Sequence, residues 1–288
     1  MRVFQKGFHY SQDGPGNRMV VHLQGCNMRC PWCSNPEGLE IEGVLITDSQ
    51  WLEPDLCPHQ AVKEGTLDRG VCRTCTDQAC INGRRSKGIR CSCEDVEAGK
   101  LVQEILSAQM MYYDGGGVTF TGGECTLQYE ELGEVLAELK RQGIHTAIET
   151  NGTHPKLSEL FPYIDYLIMD CKLIDQKKHR EITGISNRMI LQNIREAARH
   201  HPCVHVRVPF IGGVNNHMEE IRRLTAFFQS LPQEHVVFEV LRYHEYGKKK
   251  WQECGLKYTM DKSAQVTAEE AGAFRRQLES AGLNYKET

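Results

Sequence analysis

Residues 19–33 read Met19-Val20-Val21-His22-Leu23-Gln24-Gly25-Cys26-Asn27-Met28-Arg29-Cys30-Pro31-Trp32-Cys33. The first five residues form a short, mostly apolar run closed by turn residues, the pattern of a buried strand. The loop that follows carries three cysteines at C-x3-C-x2-C spacing. Three thiolates on one short loop can hold three irons of a [4Fe–4S] cube, and with no fourth cysteine nearby one iron stays open for a small-molecule ligand. Ordinary ferredoxin clusters take four cysteines and leave no such vacancy. Zinc held by the three cysteines and a histidine, with His22 the candidate, is the alternative, although zinc loops usually pair C-x2–4-C units.

Working outward, further apolar runs suited to buried parallel strands lie at Val118–Thr121, Thr146–Glu149, Tyr166–Asp170, Val204–Pro209 and Val236–Leu241. Helical patterns fall between them at Val96–Tyr112, Tyr129–Arg141, Pro155–Phe161, Met189–Arg199 and Met218–Phe228. Strand, turn and helix alternate, which is the layout of an α/β protein with a parallel sheet. Six strands are too few for a closed eight-stranded barrel. The expected fold is therefore a partial, TIM-like (β/α)6 barrel spanning residues 1–38 and 95–288, with an insertion at 39–94.

The chain has 288 residues, with Lys+Arg 34 against Asp+Glu 38 and a formal charge of −4. No basic excess is available to neutralise phosphates, which argues against nucleic acid as a partner. The Lys248–Lys250 run accordingly reads as a solvated loop rather than a nucleic-acid patch. A hydrophobic fraction of 40% is enough for a real core. No apolar run is long enough for a transmembrane helix, and the first twenty residues lack the apolar stretch of a signal peptide. The expectation is a cytoplasmic protein with no membrane partner.

In that compartment 13 cysteines are an anomaly. A disulfide framework suits small secreted chains, so metal is the better reading. Besides the three in the loop, six lie between Cys57 and Cys93, and Cys125, Cys171, Cys203 and Cys254 are scattered. Residues 39–94 lack periodicity and end in the basic run Asn82–Arg90. Cys57-Pro58 looks like the fourth position of a ferredoxin C-x2-C-x2-C-x3-C-P run, whose last cysteine ligates the other cluster of a pair. The earlier positions are Thr47, Gln50 and Glu53, so one cluster's ligands are missing. By the crossover rule Cys57 would join Cys72, Cys75 and Cys80 around one auxiliary [4Fe–4S] cluster. Cys91 and Cys93 fit no ferredoxin position and are alternative ligands for Cys80 or Cys57. Zinc is the rival occupant.

The cysteine loop after a first strand resembles the hallmark of the radical S-adenosylmethionine (SAM) enzymes. Asp13-Gly14-Pro15-Gly16-Asn17-Arg18 before the strand and Leu23-Gln24-Gly25-Cys26-Asn27 after it narrow the resemblance. Together they look like the glycyl-radical-enzyme activating enzymes, similar to the pyruvate formate-lyase activase, over essentially the whole chain outside the insertion. Many of these carry a two-cluster ferredoxin-like insert, a pattern from which this chain departs.

The resemblance implies that the open iron of a cluster on Cys26, Cys30 and Cys33 chelates SAM. Reductive cleavage would then yield a 5′-deoxyadenosyl radical that takes hydrogen from a backbone glycine of a partner enzyme. Gly122, Gly123 and Glu124 match the family's GGE motif, which binds the methionine amino group, and Lys172 of Asp170-Cys171-Lys172 matches the lysine that grips the SAM carboxylate. Asp170 would hold that lysine or a monovalent cation. Glu149, in Glu149-Thr150-Asn151-Gly152, stands where the family often has Asp, and Asn151 lies in the same layer. Trp32, Ser34 and His244 would complete the SAM contacts, and Arg207, a cation in an otherwise apolar strand, would either touch SAM or form a salt bridge to a neighbouring strand. Cys125 stands where proline is common and reads as a small packed thiol. Asp13 and Gly14 would lie near the barrel rim and hold the partner's glycine loop, and a flavodoxin- or ferredoxin-type protein would supply electrons. A radical SAM enzyme acting on a small molecule or peptide is the first rival. An iron–sulfur electron carrier or zinc-binding interaction module is the second.

Overall fold

The computed structural model describes residues 1–8, 12–82 and 88–286. Of the basic run Asn82–Arg90, residues 83–87 lie outside the described residues. The strands in chain order are β1 (Arg2–Gly7), β2 (Arg18–Leu23), β3 (Leu45–Thr47), β4 (Val62–Lys63), β5 (Thr66–Leu67), β6 (Ile89–Cys91) and β7 (Glu94–Asp95), followed by β8 (Gly117–Gly122), β9 (Thr146–Thr150), β10 (Tyr166–Asp170), β11 (Val204–Phe210) and β12 (Val236–Arg242). The α-helices are α1 (Arg69–Arg73), α2 (Ala79–Asn82), α3 (Ala98–Ser107), α4 (Tyr129–Arg141), α5 (Gln176–Thr183), α6 (Arg188–His200), α7 (Met218–Gln229), α8 (Lys248–Glu253) and α9 (Ala268–Ser280).

One eight-stranded sheet runs in the order β12-β11-β10-β9-β8-β2-β1-β7. From β2 to β12 every neighbouring pair is parallel. These are the six expected strands, each found within a residue of its expected ends. β1 and β7 extend the β2 edge antiparallel, and β7 and β12 stand at opposite ends of the order, so the barrel is partial. All six residues of β2 are buried, as a strand covered on both faces requires.

The helices cover the sheet with apolar stripes. α4 buries Leu132, Val135, Leu136 and Leu139, a 3.6-residue repeat on one face. The Pro155–Phe161 expectation is corrected: Leu157–Tyr163 is a 3-10 helix containing Pro162, whose missing N–H cannot support an α-helical ladder. The Val96–Tyr112 pattern is an α-helix only over α3, followed by a 3-10 turn at Gln109–Met111. The Lys248–Lys250 run is not a loop but the first turn of α8, and its lysines pair with Glu245, Glu253 and Glu37.

Residues 39–94 hold two small sheets, β3–β6 and β4–β5. A separate apolar cluster of Leu52, Cys57, Ala61, Val62 and Ile89 packs inside this segment. Its end at residue 94 falls within β7, which joins the large sheet. Among the described residues, no helix is long and apolar enough to cross a membrane.

Candidate functional site

The cysteine loop leaves the C-terminal end of β2 and is clamped to its neighbours by backbone hydrogen bonds. Gly25 N–H donates to Gly38 O and Cys26 N–H to Leu39 O, each at 3.0 Å, while Glu124 N–H donates to Gly25 O at 2.7 Å. This close approach explains the glycine at 123, where a Cβ would lie 2.2 Å from Gly25 O and 2.4 Å from Gly38 O. The end of β8 and the cysteine loop thus lock into one wall.

That wall bounds a cavity of about 240 Å³ at the C-terminal ends of the parallel strands. Cys26, Cys30 and Cys33 line it, together with Trp32, Ser34, Gly122 and Gly123. Glu149, Asn151, Asp170, Lys172 and His244 close it from the later strands. Burial pushes the Cys26 and Cys33 thiols up to about 12, so they become thiolates there only beside a strong positive charge such as a metal. Met28 N–H donates to Cys26 Sγ at 3.4 Å, a bond that favours charge on that sulfur. Burial works against the ammonium of Lys172, yet the neighbouring Asp170 carboxylate, which accepts from its Nζ, outweighs that and holds the lysine charged. A buried cation, three thiols and exposed backbone at one site suit a metal-chelated zwitterion.

Two expected contacts are not brought to the cavity. Glu124 is 1% exposed, and its carboxylate turns into the loop. It accepts from Thr126 N and Oγ1, Thr150 Oγ1 and Asn151 N, at 3.0, 2.5, 2.6 and 2.6 Å. Arg207 lies in the barrel interior. It donates to Glu239 at 2.8 Å, to Glu149 at 3.0 Å and to the Gln12 carbonyl. Register brings Glu239 to Arg207, since the two stand opposite each other on β12 and β11.

The Asp13 carboxylate also faces Arg207, at 3.8 Å and only 16% exposed, so Asp13 sits inside the barrel rather than at its rim. Gly14, at φ +130°, packs against the Arg18 side chain. Cys125 is fully buried and donates to the Glu149 carbonyl at 3.4 Å, as a packed thiol would. His22 is buried with its ring 5.3 Å from Phe4 and does not line the cavity, which removes it as a fourth ligand for zinc.

In the insertion, Cys57, Cys72, Cys75 and Cys80 line a second cavity of about 420 Å³. Ala61 N–H donates to Cys57 Sγ at 3.4 Å, repeating the bond seen at Cys26. Cys91 and Cys93 do not line this cavity; their sulfurs lie together beside Gly43. Four thiolates on one zinc would stand about 3.8 Å apart, given Zn–S bonds near 2.3 Å. Among the described residues, the only group whose ligand atoms all lie within 4.8 Å of one another is His59, Cys75 and Asp77, at the surface. Sequence reasoning missed Cys254, which lines the same cavity from the barrel side; no local spacing marks it.

A family model described as the radical SAM superfamily matches residues 20–225. The 4-hydroxyphenylacetate decarboxylase activating enzyme of Clostridioides difficile (strain CD196) is 31% identical over 274 residues, spanning 89% of this chain and 86% of that one. The choline trimethylamine-lyase activating enzyme of Oleidesulfovibrio alaskensis is 33% identical over 269 residues, spanning 86% and 85%. This chain belongs to the radical SAM activating enzymes of glycyl radical enzymes.

A solved domain of the pyruvate-formate lyase-activating enzyme from Bacteroides vulgatus aligns with 29% identity and a TM-score of 0.50, covering 59% of this activating enzyme and 98% of that chain. A radical SAM methyltransferase from Sphaerobacter thermophilus, at 12% identity and TM-score 0.57 over 97% of this chain and 67% of that one, shares the fold. As a family member the activating enzyme uses a [4Fe–4S] cluster and SAM and generates a radical on a partner enzyme. The electron-carrier and zinc-module readings are thereby set aside.

Proposed function

We propose that the cavity at the strand ends is where SAM is bound and cleaved, with Cys26, Cys30 and Cys33 holding the cluster. The observation that carries this is the convergence of those three cysteines, Lys172 and Gly122–Gly123 around one cavity. Lys172, fixed by Asp170, takes the SAM carboxylate, and the carbonyls at Gly122–Gly123 face the methionine amino group. Trp32 and His244 flank the adenosine, with Ser34 and Asn151 as polar neighbours. When bound, the cluster supplies the electron that splits SAM to methionine and a 5′-deoxyadenosyl radical, which takes a hydrogen atom from a backbone glycine of the partner.

The two off-cavity residues act as positioning groups in this reading. Glu124 ties the GGE turn to the Thr150–Asn151 turn, and Arg207 fixes Glu149 at the cavity floor. Asp13 and Gly14, beside that floor, meet the partner's glycine loop. The two carboxylates a monovalent cation would need, Glu149 and Asp170, are already paired with Arg207 and Lys172, which supply positive charge there.

Residues 39–94 form an iron–sulfur insertion whose cavity holds one auxiliary cube. Support comes from the four insertion cysteines, Cys57, Cys72, Cys75 and Cys80, that line one cavity. A flavodoxin- or ferredoxin-type donor in the cytoplasm provides the electrons. The test is reductive SAM cleavage by the anaerobically reconstituted enzyme, followed as 5′-deoxyadenosine. Ala at Cys26, Cys30 or Cys33 should abolish it, because three-point ligation leaves no spare thiolate. Full activity in Cys30→Ala would refute the assignment. Lys172→Ala should weaken SAM binding while leaving the iron content unchanged.

A further inference from the structure

The cavity of the insertion is not closed by the insertion alone. Cys254 and Gly255, which follow α8 of the barrel, line it beside Cys57, Cys72, Cys75 and Cys80. Cys254 is 3% exposed, and among the described residues its Sγ makes no hydrogen bond. Five cysteines therefore line a space where one cube offers four corners.

The turn at Glu253–Gly255 is held against the insertion by several contacts. Arg69, on α1, donates to Leu45 O at 2.7 Å and to Glu253 O at 2.9 Å, joining insertion to barrel. Thr47 Oγ1 donates to the same Glu253 carbonyl at 3.1 Å. Gly255, at φ +66°, leaves room for the Arg69 side chain, whose Nε would be 1.9 Å from any Cβ there. Cys75 already has a partner: its Sγ donates to Asp77 Oδ1 at 3.2 Å, in the surface group with His59.

We propose that Cys254 is a ligand of the insertion's iron–sulfur site, completing it with Cys57, Cys72 and Cys80 while Cys75 is the spare thiol. This rests on the reading of the insertion as an iron–sulfur segment. The consequence is a covalent link between the auxiliary cluster and the barrel. The same short helix reaches the SAM site from its other side, where Trp251 Nε1 donates to Cys33 O at 2.8 Å and Lys250 pairs with Glu37 at 2.7 Å. α8 then spans both iron–sulfur sites, and the insertion cannot move independently of the SAM-cleaving loop.

The test uses the full chain with Cys26, Cys30 and Cys33 all replaced by Ala, reconstituted without oxygen with iron and sulfide, so that only the second site can hold a cluster. That background should keep about four irons, the content of one cube. Adding Cys254→Ala should remove them, whereas adding Cys75→Ala should not. Adding Cys254→Ser, which keeps the volume and offers oxygen, should retain iron and shift the electron paramagnetic resonance g values of the reduced cluster. In the otherwise unsubstituted enzyme, Cys254→Ala should halve the iron and keep the SAM-site half, which distinguishes ligand loss from unfolding. Retention of four irons by Cys254→Ala, or an unshifted spectrum in Cys254→Ser, overturns the proposal. Loss of iron from both alanine variants leaves Cys254 a ligand and overturns only the choice of Cys75 as the spare. No iron in the triple background overturns the auxiliary-cluster reading itself.

Discussion

Replacing Glu124 by Ala separates a residue that touches SAM from one that holds the site together. The carboxylate is fully enclosed and satisfies two backbone N–H groups, of Thr126 and Asn151, and two threonine hydroxyls. Burial raises its pKa, opposed by those four hydrogen bonds. In Glu124→Ala the hydroxyls can turn toward other acceptors, but the two N–H groups cannot. An unsatisfied buried donor costs about 1–3 kcal/mol, so the pair gives roughly 2–6 kcal/mol, a large share of the ~5–15 kcal/mol that holds a typical domain. At about 2–4 °C per kcal/mol the expected fall in unfolding midpoint is on the order of 10 °C. Glu124→Gln should fall less: its amide oxygen can serve Thr126 and Thr150, leaving one donor opposed to Asn151 N. The assay is thermal unfolding of the reconstituted enzyme by circular dichroism, alongside SAM binding. If Glu124→Ala kept its midpoint within about 2 °C while losing SAM affinity, the carboxylate would have to face the ligand, and the structural role argued from its four bonds would be wrong.

Other expectations follow from the barrel interior and the clamped loop. Arg207→Met leaves Glu149, Glu239 and Asp13 without their shared cation, and breaking such a buried pair costs about 3–5 kcal/mol; urea unfolding should show the loss, and adding Glu239→Gln should recover part of it. Burial, reinforced by Glu149, pushes Asp13 up to about 7 from its ordinary 3.8. The folded chain therefore binds a proton that the unfolded chain releases between those values, so this residue's contribution to stability falls as pH rises from about 4 to 7. Asp13→Asn should flatten that part of the pH–stability profile, and an unchanged slope would contradict the buried placement. Gly123→Ala drives a Cβ into the Gly25 and Gly38 carbonyls, so reconstitution should lose the SAM-site iron while the insertion keeps its own.

The six parallel strands were legible because each is an apolar run bounded by turn residues, and burial on both faces leaves no polar alternation to confuse the reading. β1 was not legible, since Arg2–Gly7 buries only Val3 and shows no run. α9 carried a readable start, the Thr267–Glu270 capping box, but a weak apolar stripe. At the site, spacing located Cys26, Cys30 and Cys33, and strand ends located Gly122, Glu149, Asp170 and His244. Spacing says nothing about where a side chain turns, which is why Glu124 and Arg207 were expected to face the ligand. Two of the partners of Arg207, Glu149 and Glu239, lie 58 and 32 residues away and meet it only once the strands are paired. Cys254 is invisible for the same reason, because its neighbours come from a different segment of chain.

The central claim is that this chain places a radical on a partner's glycine. The most direct measurement is an electron paramagnetic resonance spectrum of the reduced enzyme, SAM and a glycyl radical enzyme encoded beside it, mixed without oxygen. The account predicts a glycyl doublet that disappears when the partner's single target glycine becomes alanine, or when Cys30 of the activating enzyme becomes alanine. SAM turnover with no doublet on any such partner would contradict it and point instead to a small-molecule or peptide substrate.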